Sequence, residues 1–163
     1  AGVQHGFIEA SWFYFSIGLV YWLVLQVLVF NRVIFHDPMP AKLLPTLFIL
    51  VAPPAIGFLS YIQLAGVLDG FARVLYFNAA FLVLLLLTQF RRFLSARFYL
   101  SWWAYSFPLA AFSIASQVYF QLTANLFFLW VAYGSLLLAT VVIGLLALRT
   151  VREIANGSIF EPD

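Results

Sequence analysis

Long uncharged stretches constrain this chain more than any other feature of its sequence. Asp, Glu, Lys and Arg are absent from four of them, which cover residues 10–31, 43–68, 74–90 and 98–148. A helix needs about 20 consecutive apolar residues to cross the hydrocarbon core of a bilayer, and the last stretch is long enough for two crossings. The sequence therefore predicts an all-α protein that crosses a membrane several times.

The overall composition supports this prediction. Hydrophobic residues make up 65% of the chain and charged residues only 9%, whereas soluble domains carry about 25% charged residues. The many aromatic side chains are expected to fill gaps between helices or to lie at the headgroup level. A net charge of +2 would suggest nucleic acid in a soluble chain, but here it is explained by basic loop residues, so we expect no nucleic-acid partner.

Apolar length and flanking charge predict five transmembrane helices in one transmembrane domain over residues 1–163. The helices cover approximately residues 11–30, 43–62, 71–90, 100–118 and 125–148, and residues 149–163 form a tail. The connections between them are short, as expected between antiparallel neighbours in a bundle.

The distribution of basic residues predicts the orientation in the membrane, because successive loops lie on alternate sides. Of the eight Lys and Arg residues, only Arg73 falls on one side. The other side receives Arg32, Lys42, Arg91, Arg92, Arg97, Arg149 and Arg152. Basic residues accumulate on the cytoplasmic side, so the tail is predicted to be cytoplasmic in a multi-pass plasma-membrane protein, or inner-membrane protein in a bacterium.

Proline separates the predicted helices into two kinds. The second carries Pro45, Pro53 and Pro54 and the fourth carries Pro108, whereas the other three carry none. Proline inside a helix removes a backbone hydrogen bond, and in lipid the freed carbonyl must find a partner in the protein or in water. We therefore expect kinked second and fourth helices that face the interior.

Small residues on the same two helices support an inward orientation. The fourth helix carries a stripe of Ser106, Ala110, Ser113 and Gln117, and the second carries Ala52, Pro53, Ala55, Gly57 and Ser60. Such stripes are typical either of closely packed helices or of a water-filled path, and the pattern alone does not choose between them.

The residues offer no catalytic or metal-binding pattern. Cysteine is absent, and His5 and His36 have no second ligand at metal-binding spacing. No carboxylate or basic pair lies at the centre of a predicted helix, where a proton relay would need one. We therefore predict that the protein is not an enzyme and that it uses no cofactor and no metal.

Two ordered motifs resemble those of one family of membrane proteins. The segment Ser101-Trp102-Trp103-Ala104-Tyr105-Ser106-Phe107-Pro108 resembles the WWAY(S/T)FP segment of the slow-type anion channels of plants and their bacterial relatives, the TehA family of tellurite-resistance and C4-dicarboxylate transport proteins. The segment Leu50-Val51-Ala52-Pro53-Pro54-Ala55, followed by Ser60-Tyr61, is similar to the seventh helix of that family.

The resemblance implies a specific architecture and site. Family members have ten helices, arranged as five hairpins around a central pore, with odd-numbered helices inside, and this chain corresponds to helices six to ten. A phenylalanine of the ninth helix plugs the pore, and Phe107 matches it. The pore-lining residues implied on the two inner helices are Pro53, Pro54, Gly57, Ser106, Pro108, Ala110 and Ser113.

We therefore predict a membrane anion channel or facilitative transporter for small anions or C4-dicarboxylates, with an uncharged pore gated by Phe107. Its expected partners are small anions, the lipid bilayer, the missing N-terminal half of the same protein and, by analogy with relatives, two further copies in a homotrimer. Two alternatives stay open. One is an ion-coupled secondary transporter with its coupling carboxylate in the other half, and the other is a non-transporting membrane scaffold.

Overall fold

The computed structural model of the protein describes residues 2–88 and 98–156, and no strand occurs in these ranges. Within these ranges five α-helices follow one another: α1 (Ile8–Phe35), α2 (Ala52–Ala65), α3 (Gly70–Thr88), α4 (Ser106–Thr123) and α5 (Leu126–Ala155). A short 3-10 turn, Val3–His5, precedes α1, and longer 3-10 segments precede α2 (Ala41–Val51) and α4 (Leu100–Tyr105).

The first and last helices are longer than predicted. Helix α1 ends at Phe35 and α5 continues to Ala155, so Arg149 and Arg152 belong to the helix and not to the tail. The apolar-length argument misses these extra turns because a helix can continue into the headgroup region, where polar and charged side chains are tolerated. The predicted loop over residues 91–97, the end of the third helix beyond Thr88 and the tail from residue 157 lie outside the described residues.

Four segments of the described chain are long and apolar enough to cross a membrane. They are Ile8–Phe35, Lys42–Ala65, Gly70–Thr88 and Leu126–Ala155. Helix α4 is not among them: its α-helical part begins only at Ser106, and it carries Gln117 and Gln121. The predicted fourth crossing therefore falls short of the other four segments in mean hydropathy.

Helix α4 nevertheless lies against α5 along its length as an antiparallel hairpin. At one end the Trp103 indole nitrogen, Nε1, donates to Thr150 Oγ1 at 3.0 Å. At the other end the rings of Tyr119 and Phe128 lie 4.5 Å apart between centroids. Helix α4 and its 3-10 segment therefore cover the same depth as the apolar part of α5, and α5 supplies apolar contacts that α4 would otherwise need from lipid.

The prolines do not kink continuous α-helices as predicted. Instead, Pro53 and Pro54 lie in the first turn of α2 and Pro108 in the first turn of α4, directly after the 3-10 segments. Pro53 has no N–H to offer to the carbonyl of Ile49, and the N–H of Ala52 bonds that carbonyl in the tighter 3-10 pattern. The break in each helix is thus a change of helix type.

The two 3-10 segments pack against each other at one end of the bundle. The rings of Phe48 and Tyr105 meet edge to face at 4.7 Å, and Ser101 Oγ donates to the Lys42 carbonyl at 2.6 Å. From this end, α2, α3 and α4 enclose the core, where Ala55, Ala72 and Ala115 are completely buried. Helix α1 has no buried residue and contacts α2 at the edge of the bundle.

Candidate functional site

Phe107 projects from the start of α4 and is 61% exposed within this chain. Its neighbours in the motif are held firmly. The Ser106 Oγ donates to the Trp103 carbonyl at 2.7 Å, and Pro108 is fully buried. The phenylalanine ring therefore extends from a fixed backbone into space that no other part of the described chain fills.

The exposed face of α4 is rotated about the helix axis relative to the stripe of small residues predicted from the sequence. Its members follow one another at steps of three or four residues: Phe107, Ala110, Ile114, Gln117 and Gln121. Ile114 is 53% exposed, whereas Ser113 is only 6% exposed, because Ser113 turns toward α5. The structure thus brings Ala110 and Gln117 onto the face of Phe107 and places Ser113 at its border.

The predicted pore residues of α2 lie in two different environments, the core and a groove. Pro54 is fully buried in the core. Pro53 and Gly57 line a groove of about 430 Å³ between α1 and α2, together with Ser60. Phe107 is not among the residues of this groove, so the described chain does not join the two predicted pore surfaces in one cavity.

A buried polar contact between α3 and α4 was not anticipated from the sequence. Tyr76 donates from its hydroxyl to Ser116 Oγ at 3.2 Å, and its ring stacks on that of Tyr119 with centroids 4.1 Å apart. The Arg73 guanidinium donates to the Tyr119 hydroxyl at 3.1 Å. Each helix carries its two residues three positions apart, on one face, and this spacing is the signal that could have revealed them.

The N-terminus of α3 is capped by a carboxylate. Asp69 Oδ1 accepts a hydrogen bond from the Ala72 N–H at 2.9 Å, and its other oxygen accepts one from the Tyr61 hydroxyl. The backbone bond, followed by the Tyr61 bond, lowers the pKa of Asp69 below its ordinary value of 3.8, because both stabilise the charged form. The cap therefore joins the end of α2 to the start of α3.

The tryptophans of the recognised motif fix the 3-10 segment to the end of α5. The Arg149 guanidinium carbon lies 5.1 Å from the centre of the Trp102 ring, a cation–π contact, and Trp103 bonds Thr150 as described above. Part of the motif is therefore structural, since it holds the backbone from which Phe107 projects. Within residues 2–88 and 98–156, no group of three His, Asp or Glu side chains could hold a metal ion.

Comparison with known proteins identifies the family. The SLAC1 family model, described as "Voltage-dependent anion channel", matches residues 1–151. The chain belongs to the SLAC1 family. The predicted family is thus confirmed, and the four apolar segments agree with a multi-pass membrane protein.

Individual relatives of this SLAC1-family chain come from plants and archaea. The S-type anion channel SLAH2 of Arabidopsis thaliana is 35% identical over 118 residues, which cover 72% of this chain and 23% of that protein. The guard cell S-type anion channel SLAC1 of the same plant is 28% identical over 114 residues, or 70% and 20% of the two chains. The uncharacterized transporter MJ0576 of Methanocaldococcus jannaschii is 21% identical over 173 aligned positions, or 98% and 50%.

The SLAC1-family chain therefore spans about a fifth to a quarter of the length of these two plant relatives and half of the archaeal one. These names describe channels and transporters, and none describes an enzyme.

Proposed function

We propose that this chain forms half of a passive conduit for small anions, in which the Phe107 ring closes the path. The observation that carries the proposal is the position of that ring, 61% exposed on the open face of α4 directly after the 3-10 segment. An apolar ring at a narrow point blocks ions by its volume and by excluding water. Neither effect requires a charge to move.

The lining we propose follows the exposed surfaces of the two proline-bearing segments. Ser106, Phe107 and Ala110 contribute from α4, and Pro53 and Gly57 contribute from α2. The predicted contributions of Pro54 and Pro108 become indirect, because these fully buried residues shape the backbone behind the lining, whereas Ser113 borders the lining face. Helix α4 carries no charged residue, and a weakly binding, uncharged path favours rapid exit of the ion.

The proposed whole protein contains a second set of five helices that completes a ten-helix bundle around the path. Phe107, Ile114 and Gln117 lie on a face of α4 that the described part of this chain leaves open, as expected if the other half faces it. The basic residues Arg149 and Arg152 at the end of α5 support a cytoplasmic position for that end in a plasma-membrane protein. We further propose that the protein assembles as a homotrimer with one path per subunit, uses no cofactor and has no catalytic activity.

The substitution Phe107→Ala in the full-length protein tests the gate. If the ring adds about 1.4 kcal/mol to the barrier, resting anion uptake into liposomes rises about tenfold per folded molecule. Phe112→Ala on the same helix is the matched control, because Phe112 is 4% exposed and points into the core. Removing a buried Phe costs about 3–5 kcal/mol and should lower the amount of folded protein without raising uptake per molecule.

Unchanged or lower uptake per folded molecule in Phe107→Ala would overturn the gate assignment. Wild-type protein that passes no anion under any condition would overturn the conduit itself. The two results are separable, because the first is a ratio between variants and the second is an absolute flux.

A further inference from the structure

A second, smaller groove lies between α4 and α5, and its lining is unusually polar for two membrane helices. Its volume is about 140 Å³. Four hydrogen-bonding side chains line it: Ser113, Gln117, Gln121 and Tyr133. The remaining lining residues, Phe120, Leu129, Ala132 and Leu136, are apolar, so the groove contains no charged group.

The four polar side chains have no hydrogen-bond partner among residues 2–88 and 98–156. Ser113 is the most informative, because it is only 6% exposed, whereas Gln117, Gln121 and Tyr133 are exposed. A polar group left without a partner inside a membrane costs free energy, so such groups occur where water or a ligand completes their bonding. The arrangement thus points to an occupant of the groove.

The donors available define the chemistry of that occupant. Each glutamine amide offers two N–H donors, and the Ser113 and Tyr133 hydroxyls offer one each. Neutral donors can replace part of the hydration shell of an anion, and without a fixed positive charge they bind it weakly enough to release it. A cation site would be expected to include a carboxylate, and the lining residues include none.

The groove also lies on the same side of α4 as the proposed gate residue. Gln117 and Gln121 share the exposed face of Phe107 and follow it by ten and fourteen residues. At 1.5 Å per residue, Gln117 is about 15 Å and Gln121 about 21 Å from the gate residue along the helix axis.

We propose that this groove between α4 and α5 is a binding site for a small inorganic anion, formed by neutral donors from Ser113, Gln117, Gln121 and Tyr133. The inference rests on the proposed function, because the site would hold an anion next to the proposed gate. Along α4, the site and the 3-10 segment lie on opposite sides of Phe107. The glutamines then set the concentration at which transport saturates and the preference between anions.

Anion uptake by the full-length protein in liposomes tests the site, with chloride and nitrate as the probes. Gln117→Leu and Gln121→Leu remove the amides at nearly constant length, and each should raise the half-saturating anion concentration about tenfold, as for one lost hydrogen bond to an ion. Gln117→Glu should weaken binding further through repulsion of like charges. Tyr133→Phe should give a smaller change in the same direction. The matched control is Tyr21→Phe, whose hydroxyl lies on the open side of α1 outside this groove.

A second measurement separates failure of the site from failure of the conduit. Chloride-35 resonance line broadening by the purified protein reports anion binding whether or not transport occurs, and both leucine variants should reduce it. Broadening and half-saturation that equal wild type in both variants would overturn the site while leaving the conduit intact. A fall in folded protein with unchanged uptake per molecule would also overturn it, since the glutamines would then be packing contacts with the other half.

Discussion

The hydrogen bond between Tyr76 and Ser116 should be a measurable part of the packing of α3 against α4. Tyr76 is 1% exposed and Ser116 is completely buried, so water cannot replace either partner when the other is removed. Tyr76→Phe deletes only the hydroxyl and keeps the ring stacked on Tyr119. The change therefore isolates the polar contact from the aromatic one.

The magnitude follows from two contributions. Hydrogen bonds between membrane helices contribute about 0.6 kcal/mol on average and up to about 1.7 kcal/mol. An unpaired buried hydroxyl adds part of a desolvation cost of about 1–3 kcal/mol. We expect Tyr76→Phe to lower the free energy of unfolding by about 1–2 kcal/mol and Ser116→Ala by a similar amount. The double variant should be about 1 kcal/mol more stable than the sum of these two losses predicts.

Unfolding of the full-length protein in lipid–detergent bicelles, titrated with sodium dodecyl sulfate, measures these differences. Tyr21→Phe on α1 is the control, because its side chain is 65% exposed and should change stability little. Additivity of the two single variants within about 0.5 kcal/mol would refute the reasoning. That result would mean that the Ser116 hydroxyl turns to a carbonyl one helical turn earlier when Tyr76 loses its oxygen, so that no group is left unpaired.

Two other predictions concern the ends of the helices. Since the folded pKa of Asp69 is lowered, its cap stabilises α3 above the unfolded pKa near 3.8, and this contribution is lost as the pH falls through the folded value. Thermal unfolding midpoints between pH 3 and 6 should therefore drop at the acid end, and Asp69→Asn should flatten that dependence; an unchanged profile would contradict the cap. For orientation, a reporter inserted after Ala124 should be external and one placed after Asp163 internal, because seven of the eight basic residues lie on the latter side. Both reporters on one side would remove a crossing.

The sequence by itself determined the helices that lipid can support and the family to which the chain belongs. A helix satisfies its own backbone hydrogen bonds, so apolar length alone indicated α1, α3 and α5, although not the last turns of α1 and α5. The prolines also indicated that the second and fourth helices would depart from a regular α-helix, because a missing N–H is a local property of the residue, although the departure is a change of helix type and not a kink. The motif around Phe107 then indicated the family without any knowledge of packing.

Only the tertiary structure decided which faces of these helices are open. Helical periodicity grouped Ser113 with Ala110, but packing against α5 buried Ser113 and left Ile114 on the face of Phe107. The polar groove likewise needs Tyr133 from α5 beside Gln117 and Gln121 from α4. Apolar and small residues fit equally well against a helix, a lipid or an aqueous path, so their pattern cannot select a neighbour, and the fold selects it by placing one helix against another.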